Sequence, residues 1–346
     1  MYLHALANTV PGDAYTQKEC WDILQSSGTL GGLRERSALL LEKVLTGDSG
    51  IRKRHFAMPA VKGLFSLDAE TLNRGFEREA PELAGAALRE ALDKAGLKAT
   101  DLDALFLCSC TGYICPGPTS HVAEKLGLRP DAYLQDIIGL GCGAAIPTLR
   151  SAAGFVAAHR GAKIACIAVE ICSAAFYLDD DPGVLISLCL FGDGASASIW
   201  SGDPGPTGYR IGNFDTIHQP EHRELLRFTN KAGKLKNQLD RSVPERAAKA
   251  VAHLRDRAHL DLDNPVASHS GGRDVLDALE AVFPPDRLKS ARSVLHDYGN
   301  MSSPSVLFSL ERELNPGCQS PVWMTSFGAG FSAHSCQLIP PSMNFM

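Results

Sequence analysis

The chain has 346 residues, 45% hydrophobic and 21% charged, which excludes a disordered or fibrous protein and allows one large domain or two fused halves. Its net charge of −5 offers no basic footprint for nucleic acid or an anionic membrane, so an anionic substrate must be met by a local basic patch. No stretch approaches the roughly 18 apolar residues of a membrane span, and residues 1–14 lack the pattern of a secretory signal. Ten cysteines in such a chain imply free thiols in a reducing, cytoplasmic setting, and no Cys/His spacing suggests a metal site.

Helical spacing appears over residues 34–46 and 78–96. In the second stretch Leu83, Ala87, Leu88, Ala91, Leu92 and Ala95 share a face, and Gly96 stops it. The apolar run Ala104–Cys108 reads as a buried strand, followed by a helix (Ser120–Leu126) and a strand (Tyr133–Ile138). Glycine-flanked Cys142, an Ala-rich helix to Arg160 and a strand (Ile164–Val169) come next. This alternation predicts an α/β protein with a largely parallel or mixed sheet covered by helices. Residues 203–245, richer in Pro, Gly and charge, read as a connection with loops.

The sequence also echoes itself. Phe191-Gly-Asp-Gly-Ala-Ser-Ala197 and Phe327-Gly-Ala-Gly-Phe-Ser-Ala333 agree at five of seven positions. Before each echo a polar residue follows Gly at a helix start: Cys142 in one case, Asn300 in the other. Two echoes in the same order predict a duplicated unit, with halves at residues 1–205 and 206–346.

Three residues carry candidate chemistry. Cys142, in Gly139-Leu-Gly-Cys-Gly-Ala-Ala145, lies between a strand and a helix, where backbone N–H groups and the helix dipole favour a thiolate. Its bland alternative is a small packed residue. His269 ends a short strand before Gly271-Gly272 and a helix, a position from which it could ion-pair with the thiol; ten other histidines compete for that role. Asn300, after Gly299, could be an ordinary N-cap, but the duplication sets it in the same local place as Cys142.

Gly-Cys-Gly-Ala-Ala, Leu-Phe-Gly-Asp-Gly-Ala, His-Ser-Gly-Gly-Arg, Tyr-Gly-Asn-Met-Ser-Ser and Phe-Gly-Ala-Gly-Phe together resemble the chalcone synthase superfamily, the type III polyketide synthases. The resemblance runs in order from about Ser49 to the C-terminus. It implies a thiolase-like fold of two αβαβα halves, a homodimer, and a Cys142-His269-Asn300 triad. Phe191 becomes a gatekeeper between a CoA tunnel and a cavity, and Cys110, Ala175 and Ser302 fall among the cavity positions. Cys115 lies in the segment that reaches into the partner's cavity. The implied substrates are acyl-CoA and malonyl-CoA, with no metal, flavin or carrier phosphopantetheine.

Departures from the plant pattern are informative. Polar Asn237 falls near the family's second gatekeeping phenylalanine, Ala174 or Ala175 replaces a cavity threonine, and Cys110 replaces another. These changes resemble bacterial relatives. The basic residues that plant members place at the CoA phosphates are replaced by Leu41, Val44 and Asp48, which leaves Arg52, Lys53 and Arg54 as the substitutes. An aliphatic or fatty acyl starter is the first expectation and malonyl-CoA alone the second, with closure to a pyrone, resorcinol or phloroglucinol. Ketoacyl synthase III enzymes share the three residue types but usually carry His-Gln-Ala-Asn where this chain has His269-Ser-Gly-Gly. A Cys142 hydrolase and a non-catalytic thiolase-fold protein are more distant readings.

Overall fold

The computed structural model describes residues 1–58, 63, 65, 67–259, 261, 263–314 and 320–343. Thirteen strands are described: β1 (Tyr2–Thr9), β2 (Ala14–Thr16), β3 (Lys53–His55), β4 (Ala104–Cys108), β5 (Tyr133–Ile137), β6 (Lys163–Glu170) and β7 (Gly194–Ser201) belong to the first half. The second half holds β8 (Arg210–His218), β9 (Leu226–Lys231), β10 (Lys234–Leu239), β11 (Val266–Ser268), β12 (Val322–Gly328) and β13 (Ser332–Ile339). Nine of them form one sheet in the order β11-β12-β13-β8-β1-β7-β6-β4-β5.

That order is symmetric about the β1/β8 junction. From β1 outward, β7 and β6 run antiparallel to their neighbours and β4 runs parallel to β6. From β8 outward, β13 and β12 are antiparallel and β11 is parallel to β12. Only β5 has no counterpart among the described strands. The echoed residues Ser196-Ala197 and Ser332-Ala333 occupy the matching strands β7 and β13.

Helices separate and cover the halves. Ala69–Ala95 packs its apolar stripe, including Leu72, Phe76, Ala84 and Leu88, on β1, β6 and β7. Ala145–Ala158 and Ser305–Glu313 lie between the halves; the first contacts strands of both, β4, β6, β12 and β13, and the second contacts β1, β11 and β12. Val243–Arg257 covers β8 and β13 from outside and packs on Arg273–Glu280. The alanines of Ala145–Ala158 permit this close approach.

Two sequence expectations fail here. The helix expected from residue 78 begins at Ala69, where the Asp68 carboxylate accepts the Thr71 N–H at 2.7 Å; Pro81 lies within it and obscures the start. Residues 203–245 are not mainly loops. β8 pairs along β13, but Asn213 at φ 54° and a register shift between Ser335 and Gln337 break its alternation, hiding the strand's period of two. β9 and β10 form a separate hairpin whose turn residues Ala232 and Gly233 both have positive φ.

Candidate active site

Cys142 follows β5 in a single turn, Gly141–Gly143, directly before the helix Ala145–Ala158. The two halves meet here with no room for side chains: a Cβ on Gly328 of β12 would lie 2.5 Å from the Gly143 nitrogen and 3.0 Å from that of Cys142. His269 directly follows β11, its N–H donating to the Thr325 carbonyl at 3.0 Å and its ring edge-on to Phe327 at 5.1 Å. Asn300 precedes Ser305–Glu313 and bridges to Phe191, accepting the Gly192 N–H at 3.0 Å. Cys142, His269, Asn300 and Phe191 therefore line one cleft of about 500 Å3. The structure brings the three sequence candidates together.

The amide orientation of Asn300 is fixed by its partners. Its Oδ1 accepts the Ser302 N–H at 2.8 Å and its Nδ2 donates to the Gly271 carbonyl at 3.0 Å. One carboxamide N–H thus remains for a ligand in the cleft. Ser302, at φ 59°, holds its Oγ 3.2 Å from the Cys142 Sγ and 3.3 Å from the Cys110 Sγ. A serine in that left-handed region costs energy, and its place beside the nucleophile accounts for keeping it.

Burial governs the charges. It pushes the Cys142 thiol up to about 12, opposed in part by the Ser302 hydroxyl, and the His269 imidazole down to about 4, opposed by the Ser302 backbone. Desolvation thus works against the stabilisation that the helix start offers a thiolate. At these values both groups are neutral at pH 7. Neutral His269 extends to low pH, since a depressed imidazole stays uncharged until pH falls to its own value. We therefore expect kcat/KM for malonyl-CoA decarboxylation to show no inflection near the ordinary imidazole value of about 6.5; an acid limb centred there would contradict this account.

Sequence reasoning missed Glu170. This carboxylate at the end of β6 is fully buried and accepts from the Cys110 and Thr111 N–H groups at 2.9 and 3.1 Å, and from the Thr111, Ser302 and Ser303 hydroxyls. Burial still raises it above the usual carboxylate range. It anchors the loops that carry Cys110 and Ser302. A lone Glu closing an apolar strand was the available signal.

Beside Phe191 lies a second, smaller pocket with about 20 Å3 of free space, room for one water, lined in part by Ala175, Thr111 and Phe228. Among the described residues, only Phe191 and Asn237 line both spaces. Cys110 sits beside Ser302, while Cys115 is exposed on the loop after β4.

The basic trio is a correction. Arg54 is 1% exposed and bonds Gln17 Oε1 and the Leu188 and Phe191 carbonyls, so it props the gatekeeper's backbone. Arg52 pairs with Asp297 at 3.4 Å, and neither it nor Lys53 is among the described residues of the cleft. Lys43, Arg241 and Arg273 line it instead. Arg54 lies on the short strand β3, which turns it inward, and a linear run of charges does not reveal that.

No group of three or more His, Cys, Asp or Glu able to hold a metal occurs among the described residues, and no helix there is long and apolar enough to cross a membrane. Comparison with known proteins fits this site. Residues 50–204 match the N-terminal domain of chalcone and stilbene synthases, and residues 227–325 match the C-terminal domain. A 1,3,6,8-tetrahydroxynaphthalene synthase of Streptomyces coelicolor is 30% identical over 89% of this chain and 83% of its own. A phloroglucinol synthase of Pseudomonas fluorescens is 27% identical over 93% of this chain and 94% of its own. The crystal structure of the Streptomyces coelicolor A3(2) tetrahydroxynaphthalene synthase, a bacterial type III polyketide synthase, superposes with a TM-score of 0.88 at 28% identity, covering 98% of this chain and 99% of that one. These matches favour the polyketide synthase over the ketoacyl synthase III reading and give the fold as thiolase-like. The chain belongs to the chalcone and stilbene synthase family and is a type III polyketide synthase, an acyltransferase.

Proposed function

We propose that Cys142 accepts an acyl group from CoA and that His269 and Asn300 drive decarboxylation of malonyl-CoA to extend it. The observation that carries this is the meeting of Cys142, His269 and Asn300 in one cleft, beside Phe191. The Cys142 sulfur attacks the CoA thioester, its proton passes to His269, and the departing CoA thiolate takes that proton. Malonyl-CoA then enters and loses carbon dioxide. Negative charge builds on its thioester oxygen, where the His269 N–H and the free Asn300 N–H stabilise it. The enolate carbon attacks the Cys142 thioester, and the chain leaves on CoA to be reloaded or cyclised.

The small free space beside Phe191 favours a short starter and few condensations. With space for one water there, a fatty chain has no place without displacing its walls. We therefore favour malonyl-CoA or another short acyl-CoA, consistent with relatives named for small hydroxylated aromatic products. Mass analysis of products from malonyl-CoA alone and with acyl-CoA esters of graded length tests this. A small cyclised polyketide from malonyl-CoA is expected; no product with any starter would overturn the reading.

Lys43 and Arg241 make no ion pair among the described contacts, and we assign them to the phosphates of CoA, with Arg273 held to Asp274 and the Asp48 carbonyl nearby. Lys43→Ala and Arg241→Ala should each raise KM for CoA esters by about tenfold with little change in kcat, the loss of one charge-assisted contact. Thioesters truncated before the nucleotide should be unaffected. A fall in kcat on truncated and full substrates alike would contradict the assignment.

A homodimer is part of this reading. β5 is an edge strand, and Tyr113, Tyr133, Leu134 and Ile138 expose apolar surface around it, as a strand awaiting a partner does. Cys115 would then face the second copy. The nine cysteines among the described residues are free thiols, in keeping with a cytoplasmic setting.

A further inference from the structure

A second histidine stands close to the nucleophile without facing the substrate. His334, on β13, is 5% exposed and is not among the described residues of the catalytic cleft. It borders a separate cleft of about 590 Å3, together with Gly139 and Leu140 just before Cys142. Within the sheet it lies opposite Ser326 of β12. Both side chains meet the residue after the nucleophile. The Ser326 hydroxyl donates to the Gly143 carbonyl at 3.0 Å, and a Cβ on Gly143 would come within 3.2 Å of the His334 ring.

Both ring nitrogens are committed. Nδ1 lies 3.1 Å from the Thr216 Oγ1 of β8, and Nε2 lies 3.1 Å from the Ser332 Oγ. Ser332 donates its own proton to the Ala329 carbonyl at 2.8 Å, so Nε2 carries the ring hydrogen and Nδ1 accepts from Thr216. Burial, with His218 and Arg150 nearby, pushes the imidazole down to about 4, which keeps this neutral form at pH 7. The relay from His334 through Ser332 to Ala329 ends at the other flank of the nucleophile, because a Cβ on Gly141 would lie 3.0 Å from the Ala329 nitrogen. One imidazole therefore braces both glycines beside Cys142: Gly143 by its ring, and Gly141 through Ser332 and Ala329.

We propose that His334 is a positioning residue for acyl transfer: through Ser332 it braces the turn that carries Cys142 and so sets the aim of the sulfur at an incoming CoA thioester. A displacement of about 1 Å at a reacting atom costs on the order of a hundredfold in rate, so the brace is felt in the chemistry and not only in stability. Decarboxylation is spared, because its two groups are held by other partners. The His269 N–H is fixed by the Thr325 carbonyl, and the Asn300 amide by Gly271 and Ser302. The inference rests on the polyketide synthase reading above, in which Cys142 takes the acyl group.

The test compares two rates in purified full-length wild type, His334→Gln, His334→Asn, Ser332→Ala and the double variant His334→Asn/Ser332→Ala. Acylation of Cys142 by malonyl-CoA, acetyl-CoA or butanoyl-CoA is followed by rapid quench and peptide mass, and carbon dioxide release from malonyl-CoA is measured on the same samples. His334→Asn and Ser332→Ala should each slow acylation by about tenfold to a hundredfold while carbon dioxide release stays within about twofold. The double variant should be no slower than either single one, since all three break one relay. A glutamine amide can place an N–H where Nε2 stood, so His334→Gln should recover acylation to within about threefold of wild type. Ser332→Ala, which removes one oxygen, decides the matter if a His334 variant does not fold. Equal losses in both rates, additive losses in the double variant, no recovery in folded His334→Gln, or unchanged acylation in folded Ser332→Ala would each overturn the brace. No adduct on wild-type Cys142 with any of the three esters would instead remove the reading beneath it.

Discussion

Cys142→Ala should abolish polyketide formation, lowering it by at least about a thousandfold, the scale on which loss of an attacking nucleophile is felt. No neighbouring thiol replaces it. Neither Cys110 nor Cys172 is among the described residues that line the cleft with His269 and Asn300. Carbon dioxide release from malonyl-CoA should fall far less, since its charge is stabilised by the imidazole and carboxamide. Measuring product and carbon dioxide on the same sample separates the two steps. Equal losses in both would mean that the sulfur also carries the decarboxylation.

The converse variant is Asn300→Ala. Removing one donor aimed at a developing oxyanion costs on the order of 3 kcal/mol, so decarboxylation should slow about a hundredfold. Acyl transfer to Cys142 should persist, because the sulfur's own contact is with Ser302 at 3.2 Å. Asn300 also accepts from the Ser302 N–H, and its loss frees that serine from one restraint. Asn300→Asp keeps this acceptor but places negative charge beside the forming enolate, and it should be at least as slow as the alanine variant. Recovery of wild-type decarboxylation in Asn300→Asp would show that the residue only positions Ser302.

The legible parts of the fold were those with local signatures. Ala104–Cys108 is an unbroken apolar run and is a strand buried along its length. The echo around Phe191 and Phe327 anticipates a sheet symmetric about β1 and β8, because matching residues occupy matching strands. Cys142 and Asn300 were found because glycine before a polar residue at a helix start is a local pattern, and the duplication related them. What stayed hidden depends on long-range packing. Glu170 gains its meaning from hydroxyls and amides on other loops, three of them from Ser109, Ser302 and Ser303. Arg54 differs from its neighbours in the basic run only because β3 turns it inward to the Leu188 and Phe191 carbonyls. Lys43 and Arg241 lie on separate helical and loop segments that only the folded chain joins at one cleft.

The claim beneath all of this is that one sulfur, Cys142, carries the growing chain. Brief exposure of the protein to a short acyl-CoA, followed by acid quench, proteolysis and peptide mass analysis, addresses it directly. The acyl mass is predicted on the peptide containing Cys142 and on no other. Acylation of Cys110 or Cys115 with Cys142 unmodified, or turnover with no covalent adduct at all, would contradict it.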